Sequence, residues 1–540
     1  MHGFALALRL GRWGILGYGA LTFLNTTLQA VGFYQIAGKT PAARAAFGSN
    51  MALLASQFTV LLPEPVRLDT IGGYVQWRAF GFYAIPFAIW ALASAASAAR
   101  GDEERGLVEM VLSTGVSRTR FLTTRMAAFA AGSAIAAVAG TAGLLIGVAI
   151  GRESFSAGPA FAATIPLVAL ALACYAITLA VSQLTSARSA VPIAGMLLLA
   201  LFLLNSLSHN FGWLERWRLL SPFHYYELSQ PLPPGGTVDV PATIVLVGIT
   251  CVLALVAAVA FVRRDLNASL VTIRRTPALA SHDPDAPRVW AMPVARLLYE
   301  RRYELLAWIV GMSALAAIFV ALTMSIVRPL LSIPELKPYL ESFVHGSVFP
   351  SFVNLIWFGS AQLLMAGFAI TQVAHWSAED GDGRLEMFLS TPTSRLRVVV
   401  ERLAALSVGA IAIAAVSGVV VAVAAHAQTF DLNGLRVVEA SGLLIPFTLV
   451  FAVVGSLLAT RLPRATVGVL TGFAFASYFA LQLAPIFKWP DWAQDMSVFK
   501  LYGRPLTDGV DLPGLGIMLM IVAVGFAASV QVFRSRDVGS

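Results

Sequence analysis

Carboxylates are sparse in this sequence, and their placement narrows what it can do. All 29 acidic residues lie between apolar blocks or close to the end of one, and Glu304 and Glu439 stand at the starts of theirs. Proton-coupled transport needs a carboxylate or a histidine at membrane depth. None is expected here, because His375 and His426 fall near opposite ends of their apolar blocks. Cys174 and Cys251 both sit inside apolar blocks, which suggests neither a disulfide framework nor a metal site. No G-x-x-x-x-G-K-[ST] loop occurs to cradle a nucleotide's phosphates. Nor does any cluster of His, Asp, Glu or Ser at membrane depth suggest an intramembrane enzyme. Energy for any vectorial work must then come from a separate subunit.

The acidic residues that stand out come in duplicate. Gly101-Asp-Glu-Glu-Arg-Gly precedes LVEMVLSTGVSRTRFLTTR at 107–125, and Glu379-Asp-Gly-Asp-Gly-Arg leads into RLEMFLSTPTSRLRVVVER at 384–402. The two nineteen-residue stretches are identical at nine positions, among them Glu109/Glu386, Leu112/Leu389, Ser117/Ser394 and Arg118/Arg395. Leu107, Met110 and Val111 are expected to form one apolar face with Glu103, Glu104 and Arg105 opposite. Leu385, Phe388 and Leu389 repeat that face in the second copy. This is the pattern of a short helix lying on a membrane surface. The competing reading is a solvated loop, which has no need of a duplicated Leu-Ser-Thr.

The elements that position these segments are apolar. The chain is 58% hydrophobic and 12% charged, with a mean hydropathy of +0.76, whereas a soluble chain carries about 25% charged residues. Its apolar residues come in blocks long enough to cross a ~30 Å hydrocarbon core. Twelve spans are predicted, the first six near 13–34, 76–98, 126–150, 159–182, 190–208 and 241–262. The second six lie near 305–327, 350–374, 403–425, 440–460, 465–487 and 512–533. The first block is too long for a signal segment and is taken as a span. One set of connections holds 24 of the 37 basic residues, which puts it and both termini in the cytoplasm. The net charge of +8 is spread over many short loops, which argues against a nucleic-acid partner. The expected organisation is a first six-span half at 1–263, a cytoplasmic linker at 264–302 and a second six-span half at 303–540. The linker's alternative is a basic segment that binds lipid headgroups.

The duplication extends beyond the motif. Arg188 and Arg464 align at an offset of 276, as do Ser221-Pro-Phe and Ser497-Val-Phe. A sustained offset across separate landmarks signals an internal repeat. Both halves begin and end on the same side, so the repeats are parallel. The fold class is an all-α integral membrane protein of about twelve helices in two parallel six-helix repeats.

The motif Gly-x-x-Glu-x-x-Leu-Ser-Thr-(Pro/Gly)-x-Ser-Arg, placed after the second of six spans, resembles the permease signature of type-2 ATP-binding-cassette exporters. The fused double form is similar to the permeases of polyketide-antibiotic, tetronasin-type, exporters. The resemblance implies that each segment is a coupling helix docked on a cytosolic ATPase. Two copies of that subunit would bind ATP and Mg, and this chain would hold no cofactor or metal. Coupling contacts would fall on Glu103, Glu104, Arg105, Gly106 and Glu109, and on Glu379, Asp380, Gly383, Arg384 and Glu386. Gly115 replaces the Pro392 of the second copy, so the first segment is expected to end less sharply. The family's path, between the first, second and fifth spans of each half, implies Asn25, Gln29, Phe33, Phe82, Phe87 and Asn205 in the first half. In the second it implies Asn354, Trp357, Gln362, Phe475, Tyr478, Phe479 and Gln482. An outer gate would fall on Ser221, Pro222, Phe223, Tyr226, Ser497, Phe499 and Tyr502. An uncharged lining suits hydrophobic, antibiotic-like substrates, moved out across a bacterial cytoplasmic membrane whose lipid surrounds the chain. Export of a lipid or polysaccharide, or a non-transporting membrane sensor, are the alternatives.

Overall fold

The structure is a computed structural model that describes residues 2–38, 40–55, 63–185, 187–209, 211–266, 292–331, 348–381, 390, 394–430, 432–462, 465–483, 491–495 and 497–535. It separates into two compact units, Met1–Ala278 and Leu279–Ser540. Among the described residues all regular structure is helical.

In the first unit the helices include α1 (His2–Ile36), α2 (Pro41–Ala55), α3 (Ile71–Glu104), α4 (Leu107–Ser113), α5 (Arg118–Ile150), α6 (Ala157–Leu184), α7 (Ala187–Ser208), α8 (Pro222–Glu227) and α9 (Val240–Arg263). The second unit has α10 (Pro293–Glu300), α11 (Arg302–Leu331), α12 (Val348–Glu379), α13 (Arg395–Ala427), α14 (Gly434–Arg461), α15 (Thr466–Leu483) and α16 (Leu512–Ser535). Ten described helices are long and apolar enough to cross a membrane. The chain is therefore an all-α integral membrane protein. Two of the twelve expected spans, 13–34 and 465–487, are not among the ten. Asn25, Thr26, Thr27 and Gln29 dilute the apolar character of the 35-residue α1. In α15 the described apolar run is only Thr466–Tyr478.

Small residues and hydroxyls let these helices approach closely, as apolar surroundings favour. Gly143 and Gly147 of α5 face α1 so closely that a Cβ on either would collide with Phe23 or Ala30. At the same contact Thr22 donates its hydroxyl to the Ala136 carbonyl at 2.6 Å, and Thr27 donates to that of Gly143 at 3.2 Å. The core of the unit is the helix α6, with 67% of its apolar window buried, packed by α3, α5, α7 and α9. In the second unit α14 takes that central role, while α16 has only 11% of its window buried.

The two units repeat details as well as elements. Ser117 caps α5 by accepting the Arg120 N–H, and Ser394 caps α13 by accepting that of Arg397. Both capped helices are 33 residues long. A five-residue π-helical turn, Gln76–Phe80 in α3 and Asn354–Phe358 in α12, interrupts the second expected span of each unit. Both copies thus keep a backbone feature that is rare in itself and is often retained at functional positions.

Candidate functional site

The first motif is positioned by a turn that only glycine makes comfortably. Gly106 separates α3 from α4 with φ +70° and open space around it, so the backbone angle, not crowding, demands glycine. The helix that follows turns Val108 fully inward, with Val111 and Leu112 packed on the core. Met110 points out, 65% exposed, beside exposed Glu104, Arg105 and Glu109. The expected apolar face of Leu107, Met110 and Val111 is thus corrected to Val108, Val111 and Leu112. The pattern fits both faces, and packing against the spans selects one. The expectation of a blunt end is corrected too. Gly115 takes φ +84° and donates its N–H to the Leu112 carbonyl at 3.0 Å, a left-handed stop of the kind that ends helices sharply.

Glu103 does not face outward. Its carboxylate accepts two hydrogen bonds from Arg264, at 2.8 and 2.6 Å, and pairs with Arg100 at 3.3 Å. The Glu103 and Arg264 side chains are each 1% exposed. Arg264 also donates to Gln183 at 2.8 Å. Arg100 donates to the carbonyls of Ser182 and Thr185, where the C-terminal end of α6 offers unpaired oxygens and partial negative charge. The end of α3, the end of α6 and the residue after α9 are thus bolted together directly behind α4. A carboxylate drawn as a surface contact from sequence is an internal bolt. Glu104, Arg105 and Glu109 remain the outward groups.

Beside this bolt is an ion pair that both units share. Asp102 pairs with Arg125, and at an offset of 277 Glu379 pairs with Arg402 at 2.7 Å. Glu379 also takes Arg301 at 3.2 Å. In each unit the acidic residue follows the second expected span and the arginine just precedes the third. Arg118 donates to the carbonyls of Phe261 and Arg264 at the end of α9, and Arg395 likewise to those of Phe533 and Arg534 at the end of α16. These arginines satisfy carbonyls that a helix end leaves open. The side chain of Asp380, and Gly383, Arg384 and Glu386 altogether, lie outside the described residues. The second unit also ties Glu304 to Gln372 at 2.9 Å and to His375 at 3.0 Å, a cluster that sequence alone did not suggest.

At the other end of the helices the residues expected at a gate form a clamp. Ser221 donates to the Leu201 carbonyl at 2.8 Å, and Ser497 to the Ser477 carbonyl at 2.8 Å. Phe223, Tyr226, Phe499 and Tyr502 are buried, as are Ser221, Pro222 and Ser497. Tyr226 donates to the Phe80 carbonyl at 2.6 Å, on the π-helical turn of α3, whereas Tyr502 donates to the Ala440 carbonyl of α14 at 2.7 Å. Near α8, Glu227 lies 3.5 Å from His209. Burial pushes its carboxyl up, against the pull of the Asn205 amide, His209 and Arg218.

The residues expected along a path are mostly spent on packing. Asn25 donates to the Tyr83 hydroxyl at 3.2 Å, and Gln29 accepts that of Tyr74 at 3.5 Å. Phe33, Phe87 and Trp357 are buried, whereas Phe82 and Phe475 are exposed. Gln362 donates to the Phe358 carbonyl at 3.2 Å, and Tyr478 packs edge-on against Phe499. Asn354 accepts a backbone N–H from Leu506 at 3.4 Å. Asn205 is fully buried beside Glu227, whose carboxylate its amide favours. The side chains of Phe479 and Gln482 lie outside the described residues.

Fold and repeated framework together define a polytopic all-α membrane protein made of two like units. The chain belongs to the family described as multidrug efflux system permease Rv1217c, C-terminal domain, which it matches over residues 2–262 and 291–534. No curated protein matches it.

Proposed function

We propose that this chain is the transmembrane subunit of an ATP-binding-cassette exporter that moves hydrophobic, drug-like compounds out of a bacterial cell. In this reading twelve helices span the cytoplasmic membrane as two parallel six-span repeats, and both termini and the 264–302 linker are cytoplasmic. Two copies of a separate ATPase subunit bind ATP and Mg and do the hydrolysis. Membership of an efflux-permease family supports export. The mechanism rests on one observation: Glu104 and Arg105 at the junction of α3 and α4, and Glu109 and Met110 on α4, face outward, while Glu103 behind them is bolted to Arg264 and Arg100. A push on the outward face by a partner would then reach α3, α6 and the end of α9 together, because their ends share one buried pair. Asp102–Arg125 carries the same push to α5. The outward carboxylates would pair with basic groups of the ATPase, and truncating one side of such a pair costs about 2–5 kcal/mol.

The test is to replace Glu109 and Glu386 with Ala, singly and together, and to measure ATPase co-purification and drug resistance. Membrane insertion should be unchanged, since the apolar spans set it. The double variant should lose most association and resistance. If it keeps both at the parent's level, the coupling role of these carboxylates fails.

A further inference from the structure

One contact joins the segment after the clamp of each unit to its π-helical turn, and it occurs twice. In the first unit Gln76, the first residue of the π-helical turn, accepts the backbone N–H of Leu232 at 3.4 Å. In the second unit Asn354, also the first residue of its π-helical turn, accepts the backbone N–H of Leu506 at 3.4 Å. Both leucines are buried and both follow the segment clamped by Ser221 or Ser497. Gly72 stands one helical turn before Gln76, on the same face. A Cβ there would collide with the Leu232 carbonyl oxygen. The Leu232 backbone is therefore gripped twice by one face of α3, its oxygen against bare backbone and its nitrogen by an amide. Gln76 is only 5% exposed. The two units use amides of different length, Gln and Asn, yet arrive at the same bond. Sequence identity at this position is absent, so the bond is what the two copies have in common.

We propose that Gln76 and Asn354 are positioning residues that latch the segment following each clamp onto the π-helical turn beside it. Each clamped segment is then held at two points, by serine to α7 or α15 and through its trailing residues to α3 or α12. A rearrangement of α3 or α12 at its π-helical turn would carry the clamped segment with it. This rests on the export reading for its purpose, but the latch itself is a property of the chain.

The experiment uses the full chain in lipid nanodiscs with Cys174→Ala and Cys251→Ser as background. Spin labels at Thr237 and Ile89 report the first latch, and labels at Asp508 and Ala378 report the second. Gln76→Met and Asn354→Met remove the acceptor, whereas Gln76→Glu and Asn354→Asp keep an acceptor. One amide-to-backbone bond is worth up to about a tenfold shift in the loop's placement. The Met variants should therefore broaden the distance distribution or add a second distance, and the acidic variants should restore the parent's. Unchanged distances in folded Met variants would overturn the latch. Drug efflux in cells is the second readout, expected to fall several-fold in the Met variants and to recover in the acidic ones. Broadened distances with undiminished efflux would overturn its role in transport. If the parent itself exports nothing, the export reading fails, while the distances still decide the latch.

Discussion

At the scale of single residues, the decisive finding is that one carboxylate serves two guanidiniums. Glu103 lies between Arg100 and Arg264, all three with side chains 5% exposed or less. Removing the shared partner of buried charges is costlier than removing one of its two ligands, because it leaves like charges facing each other out of water. Glu103→Gln should cost about 3–5 kcal/mol and Arg264→Gln closer to ~2 kcal/mol. Thermal melting in detergent checks the order, and a larger loss for Arg264→Gln would contradict this account of the cluster. Glu227 supports a prediction about pH. Its folded pKa is raised above the ordinary 4.5, so the folded state favours its protonated form. The stability it contributes is complete below that ordinary value and is lost as pH rises through the folded value. His224 acts in the opposite sense, since burial lowers its pKa and folding favours the neutral ring. The clean measurement is therefore the difference between parent and Glu227→Gln. The variant should gain melting temperature relative to the parent as pH rises above 4.5, and a constant difference would refute the assignment.

At the scale of elements, the motif helix owes its shape to two left-handed glycines. Gly106 opens it and Gly115 closes it, at φ +70° and +84°. The second copy has Pro392 where the first has Gly115, so Gly115→Pro looks conservative by comparison of the repeats. It is not, since proline is locked near φ −65° and cannot donate the N–H that Leu112 accepts. Gly115→Pro should destabilise the end of α4 by at least ~2 kcal/mol, and Gly115→Ala by about 1 kcal/mol. Trypsin cleavage at exposed Arg120 gives the readout, and should be faster in that order. Equal cleavage in parent and both variants would mean that α4 does not depend on this stop.

At the scale of the whole molecule, each unit repeats one plan, with an ion pair at one end and a clamp at the other. Sidedness is what the export reading adds, and it has a direct test. Thr237→Cys should react with an impermeant reagent in intact cells, and Ser281→Cys only after lysis. Cys251, which is exposed on α9, is replaced in both. Labelling of Ser281→Cys from outside would reverse the topology and place α4 away from any cytosolic ATPase.

The sequence by itself determined the solvent and the duplication. Apolar block length reports the thickness of the medium, and a sustained offset reports common descent of two segments. Both are one-dimensional properties, which is why the helices, the motif glycines and the clamping serines were all legible there. Which face of a short helix points inward was not legible, because Val108 and Met110 are equally apolar and only packing against the spans distinguishes them. The fate of Glu103 was hidden for a related reason. Its partner Arg264 lies 161 residues away, in what reads as a linker. The bonds of Gln76 and Asn354 are not legible in the sequence either, because the partner of each is a backbone N–H, which leaves no mark in side-chain identity. Tertiary structure decided these points because an ion pair or a backbone bond depends on distance in space, and helix packing alone sets that distance.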